Sequence, residues 1–234
     1  DIAAAAYQLA VKRPQSLSGR RAIVTAGPTF EPIDPVRFIA NHSSGKQGYA
    51  IAAALAAHGA NVTLVSGPVT LPPPTNVKLI SVQTAEQMLA AVHAVLPADI
   101  AVFAAAVADW RVTEPKHAKL KKLDIGKTDL LQLSLCENPD ILASIAQSDR
   151  RPELVIGFAA ETENLHENAT AKRDRKQCDW MVANQVGGAD DPVFGSDQND
   201  ILLISQTGIE NWPRMLKAEL AEKLAVRIAM EFSK

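Results

Sequence analysis

The order of apolar and polar positions predicts strands and helices that alternate along most of the chain. Short apolar runs rich in β-branched residues occur at 21–26, 61–66, 77–82, 99–106, 153–159, 179–184 and 201–205. Stretches of helical period and length include 45–58, 84–96 and 214–232. The continuous apolar character of 99–106 is typical of a central parallel strand that is buried on both faces. The repeated order predicts an α/β, Rossmann-like fold, an open and mostly parallel sheet with helices on both faces.

Two stretches depart from this alternation. Residues 107–128 are polar, rich in lysine and without a clear period, so we expect a flexible lysine-rich flap there. The alanine-rich first residues lead into Lys-Arg-Pro-Gln-Ser-Leu-Ser-Gly, a composition typical of a linker. We therefore expect 1–19 to be the tail of a missing upstream domain and 20–234 to form a single domain.

The segment 39–48, Ile-Ala-Asn-His-Ser-Ser-Gly-Lys-Gln-Gly, leads directly into the first predicted helix. The first N–H groups of a helix lack partners within the helix and carry a partial positive charge, which makes a helix start an anion site. Gly45 and Gly48 would let a phosphate approach the backbone, and Ser43 or Ser44 would cap the helix or donate to an oxygen. The alternative is an ordinary serine N-cap with nothing bound. The long loop before this segment favours a functional site.

Composition, charge and cysteine content exclude several classes of protein. A chain of 234 residues, 47% of them hydrophobic, suits one globular α/β domain, and a net charge of −2 gives no general attraction to nucleic acid. No apolar run approaches about 18 residues and no signal peptide is evident, so we expect a cytoplasmic protein without a membrane partner. Cys136 and Cys178 lie in unrelated contexts, which favours reduced, packed thiols over a disulfide.

Candidate ligand-binding residues follow the predicted strands at their carboxyl ends, where open α/β sheets bind ligands. Asp109 follows the strand at 99–106 and would hold a sugar hydroxyl or Mg²⁺, with a turn cap as the alternative. Phe158 lies near the end of the strand at 153–159 and would stack on a ligand or fill the core. The dinucleotide fingerprint G-x-G-x-x-G and the Walker A pattern are both absent. We therefore expect a nucleotide or phosphate site of another kind.

Lysines form a second group of candidates. Lys119, Lys121 and Lys122 lie in the predicted flap, whereas Lys172 and Lys176 lie four residues apart on one face of a predicted helix. Lysine is a compact partner for a flexible polyphosphate. The alternative is that both clusters are solvated surface. No Cys/His metal spacing and no Ser-His-Asp order stands out, so the metal ligands stay unknown.

Seven short segments resemble one family when they are taken together and in order. They are 25–29 (Thr-Ala-Gly-Pro-Thr), 34–38 (Asp-Pro-Val-Arg-Phe), 41–46 (Asn-His-Ser-Ser-Gly-Lys), 104–110 (Ala-Ala-Ala-Val-Ala-Asp-Trp), 119–122 (Lys-Leu-Lys-Lys), 138–141 (Asn-Pro-Asp-Ile) and 157–161 (Gly-Phe-Ala-Ala-Glu). The chain resembles bacterial phosphopantothenoylcysteine synthetases (phosphopantothenate–cysteine ligases). This domain is normally the C-terminal half of a bifunctional coenzyme A biosynthesis flavoprotein. The resemblance implies fusion to an N-terminal flavin-dependent decarboxylase domain, and FMN is not expected in this fragment.

The resemblance implies a two-step ligation. The carboxylate of 4′-phosphopantothenate attacks the α-phosphorus of CTP and releases pyrophosphate, which gives an acyl-cytidylate. The amine of L-cysteine then displaces CMP and forms the amide. Mg²⁺ and a homodimer are further expectations of the resemblance. The Lys-Leu-Lys-Lys segment at 119–122 resembles the bacterial branch that uses CTP, rather than the eukaryotic branch that uses ATP.

The resemblance also implies roles for single residues. Asn41 would bind the carbonyl of the acyl-cytidylate, and the flap would act as a lid that excludes water. Lys119, Lys172 and Lys176 would face the phosphates. The remaining candidates for the nucleotide site are Ala104, Ala105, Asp109, Pro139, Asp140, Ile141, Leu142 and Phe158.

Two other functions stay open from the sequence. A dinucleotide-dependent oxidoreductase uses a similar sheet, but the fingerprint and an obvious Tyr-Lys catalytic pair are absent. A non-catalytic nucleotide sensor would bind the same ligand without turnover. Release of CMP that depends on cysteine would distinguish a ligase from a sensor.

Overall fold

Strands and helices alternate along the described residues, 15–121, 131–186 and 197–233 of a computed structural model. Strands β1 to β12 are Arg21–Ala26, Phe30–Pro32, Phe38–Ala40, Asn61–Ser66, Val77–Ser81, Ile100–Phe103, Trp110–Val112, Leu135–Glu137, Leu154–Glu161, Trp180–Gln185, Gln198–Ser205 and Gly208–Leu216. Helices α1 to α5 are Lys46–Ala57, Ala85–Val95, Ile141–Ala146, Leu165–Lys176 and Lys217–Glu231.

Eight strands form one mixed sheet in the order β12-β11-β10-β9-β6-β1-β4-β5. Pairing is parallel from β10 to β5, whereas β11 and β12 join in antiparallel fashion. From β1 the chain continues to β4 and β5 on one side and then returns to β6 on the other side. The order of strands therefore reverses between β1 and β6, and this is the topological switch point. The predicted open, mostly parallel α/β sheet is confirmed.

Helices cover both faces of the sheet. Helices α1 and α5 pack on one face, where Leu55 and Leu224 are fully buried. Helices α2, α3 and α4 pack on the other face with Met88, Ile145 and Ala169. Strand β6 is buried at every position, as expected for a central parallel strand. In the described part of the chain, no helix is long and apolar enough to cross a membrane.

The C-terminal region differs from the prediction. A helix was expected from 214, but residues Gly208–Leu216 form β12 and α5 begins at Lys217. The prediction was wrong at this boundary because pairing with β11 decides the conformation of these residues. Strand β12 lies at the edge of the sheet, which tolerates Pro213 in its sequence.

Two small antiparallel strand pairs, β2–β3 and β7–β8, were not predicted from periodicity. Strand β7 falls within 107–128, so the expectation of irregular structure was wrong for Trp110–Val112. Strands of three residues are too short to give a period. The remainder of the predicted flap is described only up to 121, and Lys122 lies outside the described residues.

The turn between β2 and β3 is fixed by the buried carboxylate of Asp34. It accepts hydrogen bonds from the N–H groups of Val36 at 2.8 Å, Arg37 at 2.9 Å and Leu120 at 3.1 Å. The guanidinium of Arg37 also donates to it and holds the pKa of Asp34 well below its usual range. The described start of the predicted flap is thereby attached to this turn at Leu120.

Part of the predicted linker belongs to the packed domain. Leu17 is fully buried, and its N–H donates to the carbonyl of His58 at 2.9 Å. This bond attaches residues 15–19 to the end of α1. Residues 1–14 lie outside the described part of the chain.

Both cysteines are free thiols, as predicted. Burial raises the pKa of Cys178 to about 11. Cys136 lies half-buried in β8. Since a thiol reacts as its thiolate, Cys178 is a packing residue.

Candidate functional site

A cavity of about 1040 Å³ opens at the carboxyl ends of the parallel strands, beside the switch point between β1 and β6. Its wall consists of the ends of β1, β6, β9 and β10, the start of α1 and the segment before α3. Four lysines also line it, namely Lys46, Lys172, Lys176 and Lys217. Ligands of open α/β sheets bind at this position.

Most residues predicted for the site line this cavity. They are Asn41, Ser43, Ser44, Gly45, Gly48, Ala104, Ala105, Asp109, Pro139, Asp140, Ile141, Leu142, Phe158, Lys172 and Lys176. Lys119 is exposed and does not belong to the wall, because the neighbouring Leu120 is bonded to Asp34. The structure therefore brings the predicted site residues together with the exception of Lys119.

Glycine, not serine, occupies the N-cap of α1. Gly45 is the N-cap residue with φ of 74°, and no side chain makes a capping hydrogen bond. The hydroxyl of Ser43 accepts instead from the N–H of Gly45 at 3.3 Å, so neither predicted serine caps the helix. The first turn of α1 also contains no acidic residue. The positive end of this helix is thus left to a ligand in the cavity.

Gly48 allows close packing of α1 on β1. A Cβ atom at this position would lie 2.5 Å from Cβ of Ala26 and 3.1 Å from the carbonyl oxygen of Thr25. A missing side chain is therefore required for the approach of the helix to the strand. Close packing is therefore enough to explain why residue 48 is a glycine, and the phosphate contact suggested by the sequence is not required.

The side chain of Asn41 is held in place at the cavity edge. Its Nδ2 donates to the carbonyl oxygen of Val107 at 2.9 Å. This bond connects the loop before α1 with the segment after β6. One N–H and the carbonyl oxygen of the amide stay available for a ligand.

The backbone after β6 is fixed by two buried threonines. The N–H of Ala105 donates to Oγ1 of Thr25 at 3.3 Å, and the N–H of Ala108 donates to Oγ1 of Thr29 at 3.0 Å. The N–H of Ala105 is therefore occupied, which leaves its carbonyl oxygen as the backbone group of this residue that can meet a ligand. A carbonyl selects ligands that present a donor.

Asp109 and Phe158 both line the cavity. The carboxylate of Asp109 makes no hydrogen bond or ion pair with a described residue, whereas its backbone oxygen accepts from Asn138 at 2.8 Å. A side-chain turn cap is thus not formed. Phe158 is half-buried, packs against the core and lines the cavity, so its core role is confirmed, whereas stacking on a ligand stays a prediction.

Lys172 and Lys176 already face carboxylates. Lys176 pairs with Asp140, and Nζ of Lys172 lies 3.8 Å from Oε1 of Glu161. Asp140 also accepts from the N–H of Ala143 at 3.0 Å as the N-cap of α3. These carboxylates neutralise the two lysines when no ligand is bound. A bound phosphate would contact the lysines beside the carboxylates or in their place.

Sequence reasoning missed Lys217 and Gln47. Lys217 begins α5, and Gln47 lies in the first turn of α1. Nε2 of Gln47 donates to the carbonyl oxygen of Lys217 at 3.5 Å. The sequence offers no local signal for this contact, because it arises from the packing of α1 against α5.

The carboxylates in the cavity do not form a resident metal site. No group of three or more His, Cys, Asp or Glu side chains able to hold a metal occurs among the described residues. Asp109, Glu137 and Asp140 line the cavity separately. Mg²⁺ commonly binds through substrate phosphates with one or two carboxylates.

A Rossmann-like sheet with a lysine-lined cavity at its switch point is typical of α/β proteins that bind phosphorylated ligands. The model of the family described as "DNA/pantothenate metabolism flavoprotein C-terminal domain" matches residues 17–232. This chain belongs to that family.

Relatives and solved structures agree with this assignment. The coenzyme A biosynthesis bifunctional protein CoaBC of Escherichia coli strain K12 is 48% identical over 212 residues, which is 90% of this chain and 52% of that protein. CoaBC of Haemophilus influenzae is 42% identical over 221 residues, 94% of this chain and 54% of that protein. The chain thus spans about half the length of these relatives. A crystal structure of the C-terminal domain of CoaBC has a TM-score of 0.76 at 36% identity and covers 94% of this chain and 98% of that one.

Proposed function

We propose that this chain is a CTP-dependent phosphopantothenate–cysteine ligase domain, the C-terminal half of a bifunctional coenzyme A biosynthesis protein. One observation carries the proposal: residues from separate family-like segments line a single cavity at the switch point, on a chain of this family. The names of the relatives support a role in coenzyme A biosynthesis. An upstream flavin-dependent decarboxylase domain is part of the proposal.

In the proposed first step, a carboxylate oxygen of 4′-phosphopantothenate attacks the α-phosphorus of CTP. The bond from that phosphorus to the bridging oxygen breaks, and pyrophosphate leaves with the electron pair. Both reactants are anions, so nearby cations lower the barrier. Lys172 and Lys176 supply these cations by turning from Glu161 and Asp140 to the phosphates. Mg²⁺ would enter bound to the triphosphate.

In the proposed second step, the amine nitrogen of L-cysteine attacks the acyl carbon of the acyl-cytidylate. The carbon–oxygen bond to CMP breaks, and the nitrogen loses a proton. Negative charge develops on the acyl oxygen, where a donor stabilises the transition state. The free N–H of Asn41 is the donor that we assign to this oxygen.

The proposed contact of Lys119 with the phosphates stays a prediction. Lys119 is exposed and lies outside the cavity wall in the described conformation. To reach a triphosphate, its segment would have to leave the turn at Asp34, which binds Leu120. Lys172 and Lys176 are therefore the cations on which the proposed first step depends.

The proposal predicts that CTP is preferred to UTP and to ATP by about 10²-fold or more in kcat/KM. The carbonyl of Ala105 would accept from the exocyclic amine of cytosine, whereas uracil presents an oxygen there. A purine is expected to be too large for a pocket closed by Phe158. Release of pyrophosphate in the presence of phosphopantothenate, measured with each nucleoside triphosphate in turn, checks this.

Two outcomes would contradict the assignment. Comparable kcat/KM for ATP and CTP would show an open base pocket and reject CTP-dependence. No release of pyrophosphate with any nucleotide, or no CMP release on addition of cysteine, would favour a nucleotide sensor.

A homodimer is part of the proposal. Exposed apolar side chains occur on the antiparallel strand pairs β2–β3 and β7–β8, of which β2 and β7 contact each other, and on the residues just before β8. They are Val36, Phe38, Trp110, Leu131, Leu133 and Leu135, each at least 36% exposed. An exposed apolar patch of this kind is typical of a protein interface.

We expect the wild-type chain to sediment as a dimer and Trp110→Glu to sediment as a monomer at micromolar concentration, because a buried charge without a partner opposes association. Ile209→Glu is the matched control, since Ile209 is equally exposed on a different edge. A wild-type monomer, or equal effects of both substitutions, would reject this surface as the interface.

A further inference from the structure

Two lysines begin two helices at one wall of the cavity. Lys46 is the first residue of α1, and Lys217 is the first residue of α5. Both line the cavity. Asp197 joins them, since its Oδ1 lies 2.7 Å from Nζ of Lys46 and its carbonyl accepts from the N–H of Lys217 at 2.8 Å. These residues form one cluster of two cations and one carboxylate.

The position of Lys217 carries an electrostatic cost, which Glu219 in the first turn of α5 and the nearby Asp197 offset only in part. A cation at the start of a helix faces the positive end of the helix dipole. Burial and the charge of Lys46 lower the pKa of Lys217. Among the residues that the structure describes, no carboxylate lies within ion-pair distance of its Nζ, and Asp197 is already paired with Lys46. The cavity is where an anion could reach it.

A neighbouring acceptor indicates that the ligand also carries a donor. Oε1 of Gln47 is buried and has no hydrogen-bond partner among the described atoms. Nε2 of the same side chain donates to the carbonyl oxygen of Lys217 at 3.5 Å, so the amide already lies beside Lys217. A buried acceptor without a donor costs free energy. The carboxylate of Asp197, whose pKa is lowered by Lys46, is a second acceptor close by.

We propose that Lys217, Lys46, Gln47 and Asp197 form the subsite for the α-amino-acid substrate. The two lysines bind the carboxylate, and Gln47 Oε1 and Asp197 accept from the amine. A zwitterion complements this mixture of charges, because its carboxylate would meet the lysines and its ammonium group would meet Asp197. The backbone N–H groups at the start of α1 and the pair Lys172 and Lys176 remain for the phosphates. The inference rests on the proposed function, because L-cysteine is a substrate of that reaction.

The test is Lys217→Gln, assayed in three ways with the full chain. The KM for L-cysteine should rise about 10- to 150-fold, the range for loss of one charged hydrogen bond. Pyrophosphate release without amino acid, and the KM for phosphopantothenate, should stay within about twofold of wild type. Cysteamine lacks the carboxylate, so its KM should be high for wild type and change little in the variant. Lys223→Gln, on the same helix but outside the cavity, is the matched control for all assays.

Each other outcome overturns the subsite in a recognisable way. An equal rise in KM for cysteine and cysteamine would show that Lys217 does not bind the carboxylate. A selective rise in KM for phosphopantothenate would assign the lysines to its phosphate. Wild-type protein that releases no pyrophosphate from CTP and phosphopantothenate would instead refute the proposed ligase function. Thermal unfolding of Lys217→Gln and Lys223→Gln shows whether either variant is misfolded.

Discussion

Asn41→Asp should lower the rate of amide formation about 10²- to 10³-fold while the acyl-cytidylate still forms and accumulates. The substitution keeps the size of the side chain, removes the N–H proposed for the acyl oxygen and places a negative charge beside it. Charge develops on that oxygen only when cysteine attacks, so the loss falls on the second step. Rapid quenching with radiolabelled CTP, followed by separation of acyl-cytidylate, CMP and product, measures both steps.

Asn41→Ala is the control for charge. It removes the donor without adding a carboxylate, so its second step should be slowed less than that of Asn41→Asp. Both variants lose the 2.9 Å bond to Val107, and any effect on the loop should therefore be the same in both. Pyrophosphate release and amide formation slowed by equal factors would show that Asn41 acts on activation or on folding instead.

The inner strands of the central sheet were predictable because they are buried on both faces. Every position of β6 is buried, and an apolar run is the direct consequence in the sequence. The start of α2 was predictable for a local reason, since Thr84 and Gln87 form the capping box that their spacing indicates. Where burial or a local hydrogen bond determines the structure, the sequence contains the signal.

Long-range contacts determine what the sequence did not reveal. Strand β12 forms by pairing with β11, and the carboxylates opposite Lys172 and Lys176 come from β9 and the residue before α3. Lys217 reaches the cavity only because α5 packs beside α1. Lys119 was grouped with the site by resemblance, but the bond between Leu120 and Asp34 holds its segment elsewhere. Contacts between residues that are far apart in the sequence produce no periodic pattern or motif in the sequence.

The double variant Lys172→Gln/Lys176→Gln should slow pyrophosphate release by at least about 10³-fold. Loss of one charged contact to developing charge costs about 2–4 kcal/mol of barrier, and two contacts on one triphosphate are lost here. The block falls on the first step, so acyl-cytidylate should not accumulate, in contrast to Asn41→Asp. Single-turnover measurement of pyrophosphate with CTP and phosphopantothenate tests this.

Folding should not account for the loss, because the ion pairs of these lysines with Glu161 and Asp140 are partly exposed and such pairs contribute about 0–1 kcal/mol. Lys78→Gln, at an exposed position of the edge strand β5, is the matched control and should leave the rate unchanged. Equal thermal midpoints for the double variant and the control would attribute the slow step to charge. If the double variant activates phosphopantothenate at the wild-type rate, the proposed role is wrong. Both lysines would then be surface residues that pair only with Glu161 and Asp140.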